Sequence, residues 1–394
     1  METERLVVQE AGAQVGMRRD VVVVQVRGRE VGRARLQGLR RVELLGDVEL
    51  TATARRKLLQ QDVDVVLFTR RGRYVGRLVS AENQHGERRL AQLSLCLDPE
   101  RRLAGARAIV AAKLRGQAAL LQRFQRRGKD LRAEVAALVA NCRRLDAVDT
   151  LDAVRGVEGL GARLYFQGLG KALTHPTVRF TGRNRRPPRD PVNACLSFAY
   201  TMLLSEIESV VRASGLDPGC GLLHEAGRGN PVLAFDLMEP FRVVVDRMVW
   251  GLFNRGQLTE LDFVEPPADP DAVGDPELAR AEPEEAQGID GDEDVPPGGE
   301  GEGGGEGEGG VEGEGGVEGE GCGARGRAVV PCYAGPTARR ALVAGMAAAW
   351  ETRHSFLVPD ASHALRDVAR MQAEAMCRHV EGRDDVLKVF TFRG

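Results

Sequence analysis

The stretch Leu222–Arg242, LLHEAGRGNPVLAFDLMEPFR, sets a histidine, a loop and two spaced carboxylates in one short run. AGRGNP carries the glycines and proline of a loop, and the apolar spacing after it is helical. His224 ends the segment before the loop, while Asp236 and Glu239 follow it three residues apart, so both acids fall on nearly one helix face. If DLMEPFR begins a helix, Pro240 lies in the first turn, where its missing N–H is harmless, and the acids lie at the positive end of the helix dipole. Oxygen ligands there suit Mg²⁺ or Mn²⁺, and an added imidazole tilts the preference to Mn²⁺. The same residue types also fit a plainer arrangement, with Asp236 capping a helix and Glu239 on the surface.

The flanks extend the helical spacing. Downstream, VVVDRMVWGLFNRGQL continues it. Upstream, Pro191–Ala213 buries Val192, Leu196, Ala199, Tyr200, Leu203, Ile207 and Val210. Before that, RFTGRNRRPPRD (179–190) is a basic loop whose Arg183, Arg185, Arg186 and Arg189 are candidate phosphate contacts. Another helical pattern carries Val154, Val157, Leu160, Leu164 and Tyr165, with Glu158 inside it. A carboxylate buried there needs a strong partner, because desolvation without one is costly. The nearby glycines match neither a dinucleotide fingerprint nor a phosphate-binding loop, since no strand precedes them and no GK[ST] follows. Helical spacing starts at Asp98–Pro99, and a second helix runs from about Leu131 to Leu145. Helices are also expected over Thr337–Arg353 and Ser362–Val380.

The first 97 residues read differently. Arg5–Gln9, Val21–Val26, Arg41–Leu45, Val63–Thr69 and Tyr74–Leu78 are short β-type runs punctuated by glycine, with a helix capped by Thr51 among them. His85 stands alone in a polar loop. The fold class expected is α+β in two domains, a small β-rich N-terminal domain followed by a larger all-α domain. The first covers residues 1–97; the second covers 98–264 and 328–394, interrupted by an acidic insertion over 265–327.

Charge is divided just as sharply. Glu265–Gly321 holds 20 acidic residues against one basic residue, Arg280, which leaves 54 basic against 37 acidic residues elsewhere, a net +17. A body of that charge suits nucleic acid. The insertion offers almost nothing apolar to bury, so it is expected to be disordered, most simply as a tolerated loop. The 43% hydrophobic content allows a sizeable core. No run of about 18 apolar residues marks a membrane span, and no secretory signal opens the chain, so a cytoplasmic protein is expected. The seven scattered cysteines form no CxxC pair, which argues for reduced thiols.

In order, VEGLGARLYF (157–166), RNRRPPRDPVNACLSFAYTMLLSE (183–206), GLLHEAGRGNPVLAFDLMEPFRVVVDR (221–247) and ARMQAEAMCRHVEG (369–382) resemble the CRISPR-associated adaptation integrases, the first-numbered Cas protein family. VELLGDVELTATARRKLL (42–59) and VDVVLFTRRGRYVGRL (63–78) resemble that family's N-terminal domain. The resemblance implies a dimerising β-rich domain and a helical domain with a metal-dependent DNA active site. It puts the metal ligands at Glu158, His224 and Glu239, with Asp236 supporting. It also implies strand transfer and endonuclease cleavage of double-stranded DNA, a homodimer, and a small second CRISPR adaptation protein as partner. A non-catalytic DNA-binding scaffold and a related mobile-element integrase remain as alternatives.

Overall fold

Short valine-rich runs between tight turns build the N-terminal part into two four-stranded sheets over a shared core. The computed structural model describes residues 5–69, 74–78, 86–184, 188–227, 229–264, 332–358 and 361–394; His85, Arg185, Arg186 and the acidic insertion lie outside them. The strands are β1 (Arg5–Val8), β2 (Ala13–Arg18), β3 (Val21–Val26), β4 (Arg29–Arg35), β5 (Arg41–Leu45), β6 (Glu49–Leu50), β7 (Asp64–Phe68) and β8 (Tyr74–Leu78). One sheet has the order β1-β5-β7-β8, with β8 antiparallel to β7 and the rest parallel; the other has the order β4-β3-β2-β6. Helix α1 (Ala52–Gln60) makes the β5-to-β7 crossover, and the Thr51 hydroxyl caps it by accepting the Ala54 N–H at 3.2 Å. Val8, Val15, Val22, Val24, Val42, Leu44, Leu58 and Val65 fill the space between the sheets. The β3–β4 hairpin turns at Arg27–Gly28, both with positive φ (50° and 76°), the backbone a two-residue turn of the primed type requires.

Helical structure begins at Gly86, earlier than Asp98. The helices are α2 (Gly86–Leu97), α3 (Pro99–Arg126), α4 (Arg132–Arg143), α5 (Leu151–Ala172), α6 (Pro191–Ala213), α7 (Val232–Met238), α8 (Arg242–Asn254), α9 (Pro336–Trp350) and α10 (Leu365–Val380). The early start was hidden because α2 presents Leu90, Leu93 and Leu97 to solvent and buries Gln92 and Leu95, an inverted stripe. Asp98 caps α3 with Pro99 at its first position, as the sequence indicates. The chain is thus α+β, β-rich first and helical after. The helical part also holds two ribbons of two-residue strands, β9 (Phe263–Val264) with β10 (Tyr333–Ala334), and β11 (Arg353–His354) with β12 (His363–Ala364). The first ribbon pairs Val264 with Tyr333 and Phe263 with Ala334, so the described chain on either side of residues 265–331 is joined by backbone hydrogen bonds.

Helix α6 is apolar enough by composition to cross a membrane, but 67% of its most apolar window is buried inside the protein. It also anchors the sheets. Arg41 of β5, itself buried, donates to Glu43 at 2.7 Å, Asp64 at 3.2 Å and the Ser205 hydroxyl on α6 at 2.7 Å. Ser209 of α6 donates to Asp64 at 2.6 Å.

Helices α3 and α5 pack unusually close. A Cβ at Gly161 would overlap the Leu114 side chain, and one at Gly168, two turns on, would meet Leu121 at 2.8 Å. These small residues let α5 settle on α3. Gly156, on the same helix, has nothing within 4 Å of its would-be Cβ. Gly156→Ala is therefore expected to stabilise the protein by about 0.5–1 kcal/mol through helix propensity, while Gly161→Ala costs about 1–3 kcal/mol through overpacking. Urea-denaturation midpoints of the two variants read the difference, and equal shifts would refute this account of the contact.

Candidate metal centre

The close approach of α3 and α5 decides what Glu158 meets. Lys113 on α3 is 2% exposed and Glu158 on α5 is 7% exposed, and the Lys113 ammonium is ion-paired to Glu158 Oε1. The same Nζ lies 2.8 Å from Glu239 Oε2, and Glu239 is 2% exposed. Two carboxylates from distant segments thus meet on one buried cation. On its other oxygen, Glu239 pairs with Arg242 Nη2 at 3.1 Å, and the Arg242 guanidinium lies 4.7 Å from the centre of the Tyr200 ring.

Asp236 and Glu239 do not open a helix. Val232–Met238 already forms α7, because VLAF and LM are all core residues; Asp236 falls near its end, and Glu239–Phe241 is a 3₁₀ turn leading into α8. The expectation of acids at a helix N-terminus is corrected accordingly. The plainer arrangement fails as well, since Glu239 is buried and the Asp236 side chain caps no helix. Asp236, 0% exposed, instead turns to the preceding loop. Its Oδ2 accepts the N–H groups of Leu222 at 2.5 Å and Leu223 at 3.0 Å, and its Oδ1 accepts the His224 N–H at 3.1 Å. His224 Nδ1 lies 2.5 Å from the same Oδ1. A carboxylate that accepts three N–H groups offers the ring only an acceptor, so a neutral His224 carries its proton on Nδ1 and its lone pair on Nε2, the tautomer a metal-binding imidazole needs. Gly221 makes room for this, because a Cβ there would stand 2.7 Å from Asp236 Oδ2.

The loop is tied to the helices that carry the other groups. Arg102 of α3 donates to the carbonyls of Leu222 at 3.0 Å and His224 at 3.3 Å; Arg155 of α5 donates to Leu223 O at 2.8 Å. Arg155 precedes Glu158 by three residues and Arg102 precedes Lys113 by eleven, about whole turns, so one face of each helix serves both loop and carboxylates.

The donor set of two carboxylates and an Nε2 lone pair fits Mg²⁺ or Mn²⁺, and the Lys113 ammonium stands where a cation between the carboxylates belongs. Among the described residues, no group of three His, Cys, Asp or Glu side chains is placed to hold a metal ion as it stands. The structure brings Glu158 and Glu239 together on Lys113, and His224 lies on the loop that Arg102 and Arg155 tie to α3 and α5.

The basic loop divides. Arg183 is committed to the protein, donating to Asn193 Oδ1 at 2.9 Å and Ser197 Oγ at 3.1 Å, with its guanidinium 5.5 Å from the Tyr200 ring centre. It anchors the loop to α6. Arg189 is exposed. Lys113, Arg242 and Asp246 were missed in the sequence. Each is a charge within an apolar helical pattern, the same signal that singled out Glu158.

Asp246 of α8 lies beneath Arg242 in this network. It is buried and accepts the hydroxyls of Tyr165 at 2.7 Å and Tyr200 at 2.5 Å. Burial pushes its carboxyl up to about 6, against the pull of the two tyrosines and of Arg242 and Arg183. A folded value above the unfolded one means the folded state holds the extra proton between roughly pH 4 and 6, so stability falls as pH rises through that window. Asp246→Asn is expected to flatten this slope, which amounts to about 3 kcal/mol at most. Urea midpoints from pH 4 to 7 measure it, and an unchanged slope would remove Asp246 as its source.

Comparison with known proteins agrees with the sequence resemblance. Residues 6–272 match the family described as CRISPR associated protein Cas1. A CRISPR-associated endonuclease Cas1 of Thermus thermophilus is 40% identical over 249 residues, covering 63% of this chain and 75% of that protein. A casposase bound to its integration product covers 99% of this chain and 93% of its own, with a TM-score of 0.73 and 19% identity. A Cas6-RT-Cas1–Cas2 complex covers 99% of this chain, with a TM-score of 0.72 and 21% identity, but this chain spans only 36% of that larger one. At such identities the two structures speak for the fold alone. With the match running through most of the β-rich part and past α8, the chain belongs to the Cas1 family.

Proposed function

We propose that this protein is a divalent-metal-dependent DNA integrase and endonuclease of CRISPR adaptation, inserting foreign fragments as spacers into the repeat array. One observation carries the reading. Glu158 and Glu239, 81 residues apart in sequence, reach the same buried cation, and His224, with Asp236 at its Nδ1, stands on a loop that Arg102 and Arg155 tie to the helices of Lys113 and Glu158. Glu158, Glu239 and His224 Nε2 are the proposed ligands of Mg²⁺ or Mn²⁺, and Asp236 orients His224 without ligating. Bound there, the ion would supply Lewis-acid stabilisation of the scissile phosphate and the leaving 3′ oxygen.

The remaining work belongs to the chain. Asp236 and the Arg102 and Arg155 contacts fix the imidazole before DNA arrives, so little reorganisation is left for the reaction. Arg242, held on Tyr200, keeps the Glu239 carboxylate aimed. In transesterification, the incoming 3′ hydroxyl gives its proton to solvent and its oxygen forms a new bond to phosphorus, while the bond from phosphorus to the repeat strand's 3′ oxygen breaks and that oxygen takes up a proton from solvent; with water as the attacking group the same step is cleavage. The exposed Arg189, with Arg185 and Arg186 of the same loop, is the proposed phosphate contact. Arg183 supports that loop rather than touching DNA.

The proposed assembly is a homodimer with the small second adaptation protein, in the cytoplasm. Leu90, Leu93 and Leu97 of α2, all exposed in the single chain, form an apolar face of the kind a subunit contact covers.

Strand transfer into repeat DNA with Mn²⁺ and the small partner present tests the proposal. Glu158→Gln, His224→Ala and Glu239→Gln are each expected to lower the rate by about 100-fold or more, with DNA binding retained. Full activity in all three would leave a DNA-binding scaffold whose acids are structural. Transfer into unrelated target DNA in preference to repeats would mark a mobile-element integrase with the same chemistry.

A further inference from the structure

We propose that Lys113 is a resident counter-cation of the metal-free centre and competes directly with the divalent ion, which enters by displacing the Lys113 ammonium from between Glu158 and Glu239. The inference rests on the metal-site reading above and adds to it a built-in limit on metal affinity.

The charges motivate it. Glu158 and Glu239 are buried, and Lys113 and Arg242 are buried with them, so these four side chains set two formal positive charges against two negative ones. A divalent ion arriving between the carboxylates brings two further positive charges into a site screened from water. Like charges at near-contact distance repel strongly at low dielectric, so one of the resident cations must give way. Arg242 is the less free to move, with its planar guanidinium over the buried Tyr200 ring at 4.7 Å and ion-paired with Glu239 Oε1. Lys113 has a flexible four-carbon stem ending in a point charge, and it occupies the space between Glu158 Oε1 and Glu239 Oε2. The ammonium therefore keeps two buried carboxylates from repelling each other in the empty protein, and yields when the ion takes over that task.

The consequence is an exchange. Without metal, Lys113 stabilises the fold; with metal, it opposes loading. A neutral residue of similar reach should weaken the empty protein and tighten the ion. Lys113→Gln retains hydrogen-bond donors toward the carboxylates, and Lys113→Arg retains the charge.

Titration of the full-length protein with Mn²⁺ alone, followed by calorimetry, tests this, with Glu239→Gln as the control for the site. The expected result is Mn²⁺ binding to the wild type that Glu239→Gln weakens, and binding to Lys113→Gln about tenfold tighter or more, the equivalent of one unit of removed like-charge repulsion. Lys113→Arg should show no gain. If Lys113→Gln melts too low to titrate, its melting temperature should rise more with Mn²⁺ than that of the wild type. Equal or weaker Mn²⁺ binding by Lys113→Gln, or an equal or smaller rise in melting temperature, would overturn the competition while leaving the metal site standing. Mn²⁺ binding that is absent from the wild type, or indifferent to Glu239→Gln, would instead overturn the metal site and this inference with it.

Discussion

Two carboxylates taken out of water beside two cations set the terms for the helical half of the protein. Glu158, Glu239, Lys113 and Arg242 come from α3, α5 and the α7–α8 junction, and none is tolerable alone, since leaving a buried charge without its partner costs about 3–5 kcal/mol. The segments must therefore meet in one register. The close α3–α5 contact at Gly161 and Gly168 provides it, by letting Lys113 and Glu158 reach each other through a wall of side chains that a larger residue would hold apart.

Support for this cluster extends outward through α6. On one side Tyr200 stacks under Arg242 and shares Asp246 with Tyr165; farther along, Ser205 and Ser209 bond to Arg41 and Asp64 of the β-rich domain. The same helix thus links the charged centre to the sheets. His224 is held separately, by Asp236 from below and by Arg102 and Arg155 through the loop carbonyls. The imidazole and the carboxylate pair are thus held by different groups, and the cation between the carboxylates is Lys113.

Much of this was legible in the sequence. The β-rich start, the switch to helical spacing, the Thr51 and Asp98 caps and the demand that Glu158 find a partner all rest on local rules that hold here. Strands β2, β4 and β6 were not, because AQVGMR and REVGRAR mix glycine and exposed arginine into the apolar alternation, and β6 is only two residues long. Helix α2 was hidden by its outward leucines. Asp236 was read as a helix-start acid because the acids and Pro240 form a plausible first turn; the core demand of VLAF started the helix earlier and turned the carboxylate to the loop backbone. Lys113 carries the same signal as Glu158, a charge within an apolar helical pattern, but only the packing of α5 on α3 shows where its ammonium goes. Spacing along one helix is local information. The meeting of Glu158 with Glu239 is not.

The central claim is that one divalent ion is held jointly by Glu158, Glu239 and the Nε2 of His224. Pulsed electron paramagnetic resonance of bound Mn²⁺ reads its ligands directly. The expected spectrum shows coupling to a single imidazole nitrogen, lost in His224→Ala while Mn²⁺ remains bound more weakly. Bound Mn²⁺ without nitrogen coupling in the wild type, or coupling that survives in His224→Ala, would contradict the account.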